Sequence, residues 1–119
     1  MTTGTPKTTE EFRLAVLGAV DEAFLVLGVT VRDSVYYHLE KKGKVRREEI
    51  PDRVEAFHEA LEDLLGAGAK VVEKLIAKHL YERLSLAVHE REDWTIVEYI
   101  GEARRHYGSV IELWRRARS

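Results

Sequence analysis

The chain has 119 residues, 34% of them charged, a formal net charge of −2 and no cysteine. This length suffices for one core that needs no staple, the missing cysteines exclude disulfides and thiolate chemistry, and charges that nearly cancel argue against a globally steered nucleic-acid binder. The opening MTTGTPKTT has no signal-peptide core, and no run approaches the roughly 18 apolar residues of a spanning helix, so the expected compartment is the cytoplasm.

Residues 1–8 are small and polar, with Gly4 and Pro6, and read as a flexible leader. Thr8 and Glu11 have the spacing of a capping box at the start of a first helix. In it Phe12, Ala15, Val16, Ala19, Val20, Ala23 and Leu27 share one face, and Gly28 supplies the stop. The additional Leu14, Leu17, Phe24 and Leu25 widen that face, as expected of a helix that is buried or shared with a partner. Thr30 and Asp33 repeat the start signal for a second helix, Val31 to Lys42, with Val31, Val35, His38 and Leu39 inward and Gly43 as its end. Lys44 to Ile50, closed by Pro51, is too short for more than a turn or loop.

Asp52 and Glu55 then suggest a box before the stripe Val54, Phe57, Ala60, Leu61, Leu64 and Leu65. Gly66 and Gly68 allow a tight reversal into a fourth helix carrying Val71, Val72, Leu75, Ile76, His79, Leu80 and Leu84. The pattern weakens from Ser85 to Asp93, which reads as a connection. Asp93 or Thr95 can cap a last helix, over 93–118, in which Ile96, Ile100, Ala103, Tyr107, Val110, Trp114 and Ala117 step alternately by four and three. That is the spacing of a coiled-coil seam. The expected fold is therefore an all-α bundle of about five helices without a sheet, in one domain whose central block is residues 29–84.

Several residues of that block, Leu27-Gly28, Ser34-Val35-Tyr36-Tyr37-His38-Leu39, Ile50-Pro51, Phe57, Ala60-Leu61, Leu65-Gly66, Gly68-Ala69, Glu73 and Leu80-Tyr81-Glu82, form a recognisable pattern. Over about Leu27 to Leu84 it resembles the archaeal Nitrosopumilus output-domain family, fifth type. The resemblance implies an archaeal helical module that occurs alone or behind signalling modules. It implies no established activity or ligand and brings no catalytic residues. The first and last helices lie outside it. Dense charge and many arginines also suit a thermophile.

No catalytic constellation emerges. Glu55 and His58 form one Glu-x-x-His step, whereas carboxylate-bridged metal sites need two plus further glutamates. Accordingly no metal or cofactor is expected; His38 and His79 read as partly buried hydrogen-bonding residues and His58 as facing solvent. Ser34, Ser85, Ser109 and Ser119 lack a nucleophile elbow, and Gly66-Ala67-Gly68 lacks the lysine and hydroxyl of a phosphate loop.

Two features remain open. Lys41, Lys42, Lys44, Arg46 and Arg47 place five cations within seven residues, either as an anion or nucleic-acid contact or as cations offsetting a helix C-terminus, with Glu48 and Glu49 compensating. A helix-turn-helix over Asp52 to Leu84 would present Lys70, Lys74 and Lys78, with Glu73 interrupting that face. The second feature is the seam of Ile96, Ile100, Tyr107, Val110 and Trp114, which either closes the bundle or pairs with a second copy, flanked by Arg104, Arg105, Arg115 and Arg116. The function expected is a non-enzymatic regulatory or scaffolding module that works by protein association, as a homo-oligomer. Nucleic-acid binding through the basic turn is the alternative and metal-dependent catalysis the third; no membrane partner is expected.

Overall fold

The computed structural model describes residues 4–118, and the side chains of residues 10–109 and 111–118. The order is α1 (Gly4–Leu27), α2 (Val29–Lys41), a short 3-10 helix (Arg47–Asp52), α3 (Val54–Leu65), α4 (Gly68–Arg83) and α5 (Ile96–Arg118). No strand occurs among the described residues, and the class is an all-α helical bundle.

α1 is the hub. Phe12, Ala15, Val16, Ala19, Val20, Ala23 and Phe24 are buried at three- and four-residue spacing, and α1 meets α4 most extensively, then α2, the 3-10 helix and α5. From the other elements the core receives Val35, Leu39, Ile50, Phe57, Leu61, Ile76, Leu80, Tyr81, Ile96, Tyr99 and Ile100. Each fully buried large side chain contributes about 1.5–3 kcal/mol by leaving water.

Of the leader expected over residues 1–8, residues 4–8 are helical, and residues 1–3 lie outside the described ones. Pro6 falls in the first turn, where backbone N–H groups have no intrahelical acceptor, so it does not prevent the start. Thr8 consequently lies inside α1 and is not its cap.

Gly28, at φ 119°, separates α1 from α2. α2 begins at once: the Gly28 carbonyl accepts from Arg32 N at 3.0 Å, while Thr30 is already helical and Asp33 pairs with Arg32 instead of capping. Val35 and Leu39 are inward as expected. Val31 is not: it is 38% exposed, beside the exposed Leu27 and Val29, because the α1–α2 corner lies at the edge of the bundle.

At the other end of α2, the left-handed residue is Lys44, at φ 58°, rather than Gly43. Glycine is required at 43 for space: a Cβ there would lie 2.6 Å from Ala60 Cβ on α3. Where a single turn or loop closed by Pro51 was expected, a six-residue 3-10 helix runs through Pro51 to Asp52, anchored by the fully buried Ile50, with Glu49 Oε1 accepting from Arg46 N at 2.9 Å.

The box expected from Asp52 and Glu55 does not form. Arg53 occupies the cap position of α3, and Asp52 is drawn to Arg13 on α1, which also donates to Glu48 O at 2.9 Å. α3 and α4 are joined through Gly66, at φ 57°, which permits the reversal. Residues 84–95 are irregular, yet Leu84, Leu86, Val88 and Trp94 pack against the core and tether the segment. Thr95, not Asp93, caps α5: Glu98 Oε1 accepts from Thr95 N at 2.6 Å, and Thr95 Oγ1 accepts from Val97 N at 3.2 Å.

Candidate functional site

The basic turn is only partly available to an anion. Arg47 forms a two-pronged contact with Asp21 on α1, whose Oδ1 also accepts from Tyr36 Oη on α2. Burial acts to raise the Asp21 pKa, but the hydrogen bonds from Arg47 and Tyr36 and the Arg47 charge outweigh it, leaving the carboxyl below its usual range. Burial first, then Asp21, pushes the Tyr36 hydroxyl well up. Arg47 thus ties the turn to α1 and α2, so of the five cations proposed for an anion contact it is the one already paired with a carboxylate across the fold. Lys41, Lys42, Lys44 and Arg46 remain exposed, with Lys41 5.8 Å from the centroid of Tyr37. Lys42 and Gly43 edge a cleft of about 340 Å³ between α2 and α3, shared with His38, Ala60, Asp63 and Leu64.

The helix-turn-helix face is likewise occupied from within. Lys70 donates to Glu92 at 3.2 Å, and Lys74 stands 3.9 Å from Glu90, so the segment before α5 supplies a carboxylate to two of the three lysines. Glu73 does not interrupt this face, because it points inward.

Glu73 is 3% exposed, the one charged residue in the core among those described. It joins three elements: His58 Nδ1 on α3 lies 2.6 Å from Oε2, and Ile96 N at the start of α5 donates to Oε1 at 3.1 Å. His58 is therefore half-buried and paired, correcting its expected placement toward solvent; Glu62 lies 3.4 Å from its other ring nitrogen. Burial pushes the Glu73 carboxyl up, and the donors only partly offset this. Burial works against a charged His58, but the hydrogen bond to Glu73 and the charges of Glu73, Glu62 and Glu98 prevail, and its pKa is raised. Sequence reasoning missed Glu73 as a core residue. Its spacing from Ala69, Ile76, Ala77 and Leu80 was the available signal, since these positions share one helical stripe.

His79 stands 3.3 Å from Glu22 as an ion-pair neighbour, and His38 meets the Tyr37 ring edge-on. Among the described residues, no three His, Asp or Glu side chains are placed to hold a metal ion. No described helix is long and apolar enough to cross a membrane.

The α5 seam divides in two. Ile96, Ile100 and Ala103 are covered within the chain, which corrects the expectation that Ile96 and Ile100 form an interface: α5 spends its first three turns closing the bundle against α4, α1 and α3. Tyr107 is half-buried, its hydroxyl donating to Glu11 at 2.9 Å and its ring 6.1 Å from Phe12. Beyond it, among the described side chains, only Ile111 is partly covered, while Leu113 is 65% and Trp114 57% exposed. Arg118 lies over the Trp114 ring, 4.7 Å from its centroid. The Val110 side chain lies outside the described ones. Leu113 was not anticipated, because it falls off the four-three stepping.

The other exposed aliphatic patch, Leu25, Val26, Leu27, Val29 and Val31, sits at the α1–α2 corner. Comparison with protein-family models, with curated proteins and with solved structures finds no match to this chain. The resemblance over Leu27 to Leu84 therefore rests on the residues quoted for it.

Proposed function

We propose that this chain is a small regulatory or scaffolding module that acts by protein association rather than catalysis, as a homodimer whose docking element is the distal half of α5. The observation that carries the reading is the exposed pair Leu113 and Trp114, on a helix that continues for eleven residues past its last anchor, Tyr107. Large apolar groups held in water on a regular helix gain on being covered, and tryptophan flanked by arginine is the composition favoured at the centres of interfaces. The resemblance to an archaeal output domain favours a regulatory setting. Anion contact at the basic turn is the weaker reading, since Arg47 is committed to Asp21.

Size-exclusion chromatography with light scattering, at tens of micromolar protein, tests the proposal. Wild type should run at twice the chain mass of 13.7 kDa, and Trp114→Asp at the single-chain mass with an unchanged thermal melt. A wild type that stays monomeric refutes the homodimer.

A further inference from the structure

α5 is polarised along its length. Glu98 and Glu102 lie in its first half, just after Glu92 and Asp93, whereas from residue 104 onward it carries Arg104, Arg105, Arg115, Arg116 and Arg118 against Glu112 alone. Two distal halves laid side by side in parallel would crowd five arginines from each copy, an arrangement that like-charge repulsion opposes. The distal half calls for an acidic surface.

The chain presents one on α3. Val54–Leu65 contains Glu55, Glu59, Glu62 and Asp63 and no lysine or arginine. Glu55, Glu59 and Glu62 follow at four and three residues, so they form one stripe, and all three are exposed. Glu62 reaches His58, whereas Glu55 and Glu59 have no ion-pair partner among the described residues.

This stripe runs beside the first half of α5 in the opposite direction. Arg104 donates to Pro51 O, just before α3 begins, at 3.3 Å, and Glu98 near the start of α5 acts on His58 in mid-α3. Two copies placed antiparallel along α5 would therefore bring each basic distal half toward the other copy's acidic α3.

The exposed side of α5 supplies a second, independent observation. Gly101 and Gly108 are seven residues apart on one face. A Cβ at Gly108 would meet nothing within 4 Å, and one at Gly101 would meet only the tip of Arg105 at 3.8 Å. Glycine weakens a helix interior, and no contact within the chain requires it at either place. The open space at both positions would admit the close approach of another helix.

We infer that the partner is a second copy of this chain, antiparallel along α5, with the arginine-rich distal half of each α5 lying over the Glu55–Glu59–Glu62 stripe of the other. The inference rests on the association reading and names its receptor surface.

Charge exchange tests it. One variant reverses the distal half (Arg115→Glu with Arg116→Glu), the other the stripe (Glu55→Lys with Glu59→Lys). Each alone should run at the single-chain mass, because acid would face acid or base would face base. Their equimolar mixture should return to the dimer mass, because both contacts are then complementary. A milder pair, Glu55→Gln with Glu59→Gln, guards against misfolding and should weaken the wild-type dimer roughly tenfold, equivalent to about 1.4 kcal/mol.

If the stripe variants dimerise like wild type while Trp114→Asp is monomeric, the α3 receptor is wrong and the association reading stands. If wild type is itself monomeric, both fail. A mixture that stays monomeric overturns the reciprocal pairing. Wild type that is monomeric but sediments with vesicles of anionic phospholipid, losing this on reversal of Arg115 and Arg116, identifies a lipid surface as the occupant and overturns the inference.

Discussion

Removing the His58 imidazole tests whether the buried carboxylate of Glu73 depends on it. With Glu73 3% exposed and its closest partner 2.6 Å away, His58→Ala leaves a core carboxylate held only by Ile96 N–H at 3.1 Å. Breaking a buried charged pair from one side costs about 3–5 kcal/mol, and the retained backbone donor places this case near about 3 kcal/mol. For a chain of this length that corresponds to a fall in Tm of about 12 °C. Adding Glu73→Gln to the first change should recover about 1–2 kcal/mol, because a neutral amide still accepts from Ile96 N–H without requiring a charge partner. Urea denaturation followed by circular dichroism, on wild type, both single variants and the double, provides the cycle at pH 7. A loss below about 1 kcal/mol for His58→Ala, or a double variant no more stable than it, would refute the reasoning.

Two further outcomes follow from the same geometry. His58 binds its proton more tightly in the folded chain, so its contribution is complete below its ordinary value of 6.5 and is lost as pH rises through the raised folded value. Asp21 is the opposite case, complete above 3.8 and lost as pH falls through its lowered value. Urea midpoints against pH should therefore decline at both ends. His58→Ala should remove the part of the alkaline-going decline that belongs to His58, keep the part that belongs to Glu73, whose raised value also loses stability as pH rises, and spare the acid decline. A profile unchanged in the variant assigns the loss to another group. Gly43→Ala should cost about 1–3 kcal/mol, since the new Cβ would stand 2.6 Å from Ala60 Cβ and 3.0 Å from Leu39 O. Ala60→Gly in the same chain should restore part of the loss, reduced by the roughly 1 kcal/mol that glycine costs inside a helix. Wild-type stability in Gly43→Ala would show that the two helices do not approach this closely.

The helices were legible because each buries a stripe whose period is written in the chain. Phe57 and Leu61 on α3, or Ile76 and Leu80 on α4, need only the 3.6-residue turn to fall on one side. Starts were less legible. Of the capping residues proposed, Thr95 caps, but Thr8 and Thr30 are swallowed by longer helices and Asp52 is taken by Arg13, 39 residues earlier in sequence. A cap is worth about 1 kcal/mol, small enough for one distant ion pair or an extra turn of helix to override it.

The candidate sites obey the same limit. Five clustered cations are visible in sequence, but the removal of Arg47 from that cluster depends on Asp21, 26 residues away and in reach only after α1 folds back along α2. Glu73 reads as a surface acid until α3 and the start of α5 close over α4.

Amino-acid order by itself determined that this protein is helical, where its helices break and which faces are apolar, since these follow from local periodicity and from glycine's backbone freedom. Only the tertiary structure decided which apolar residues are spent inside. The seam from Ile96 to Trp114 is continuous in sequence, yet the bundle covers Ile96, Ile100 and Ala103 and leaves Leu113 and Trp114 in water. The physical reason is where the neighbours stop: α5 is longer than α3 and α4, its last anchor on α1 lies at Glu11 and Phe12, and a periodic pattern carries no record of where that cover ends.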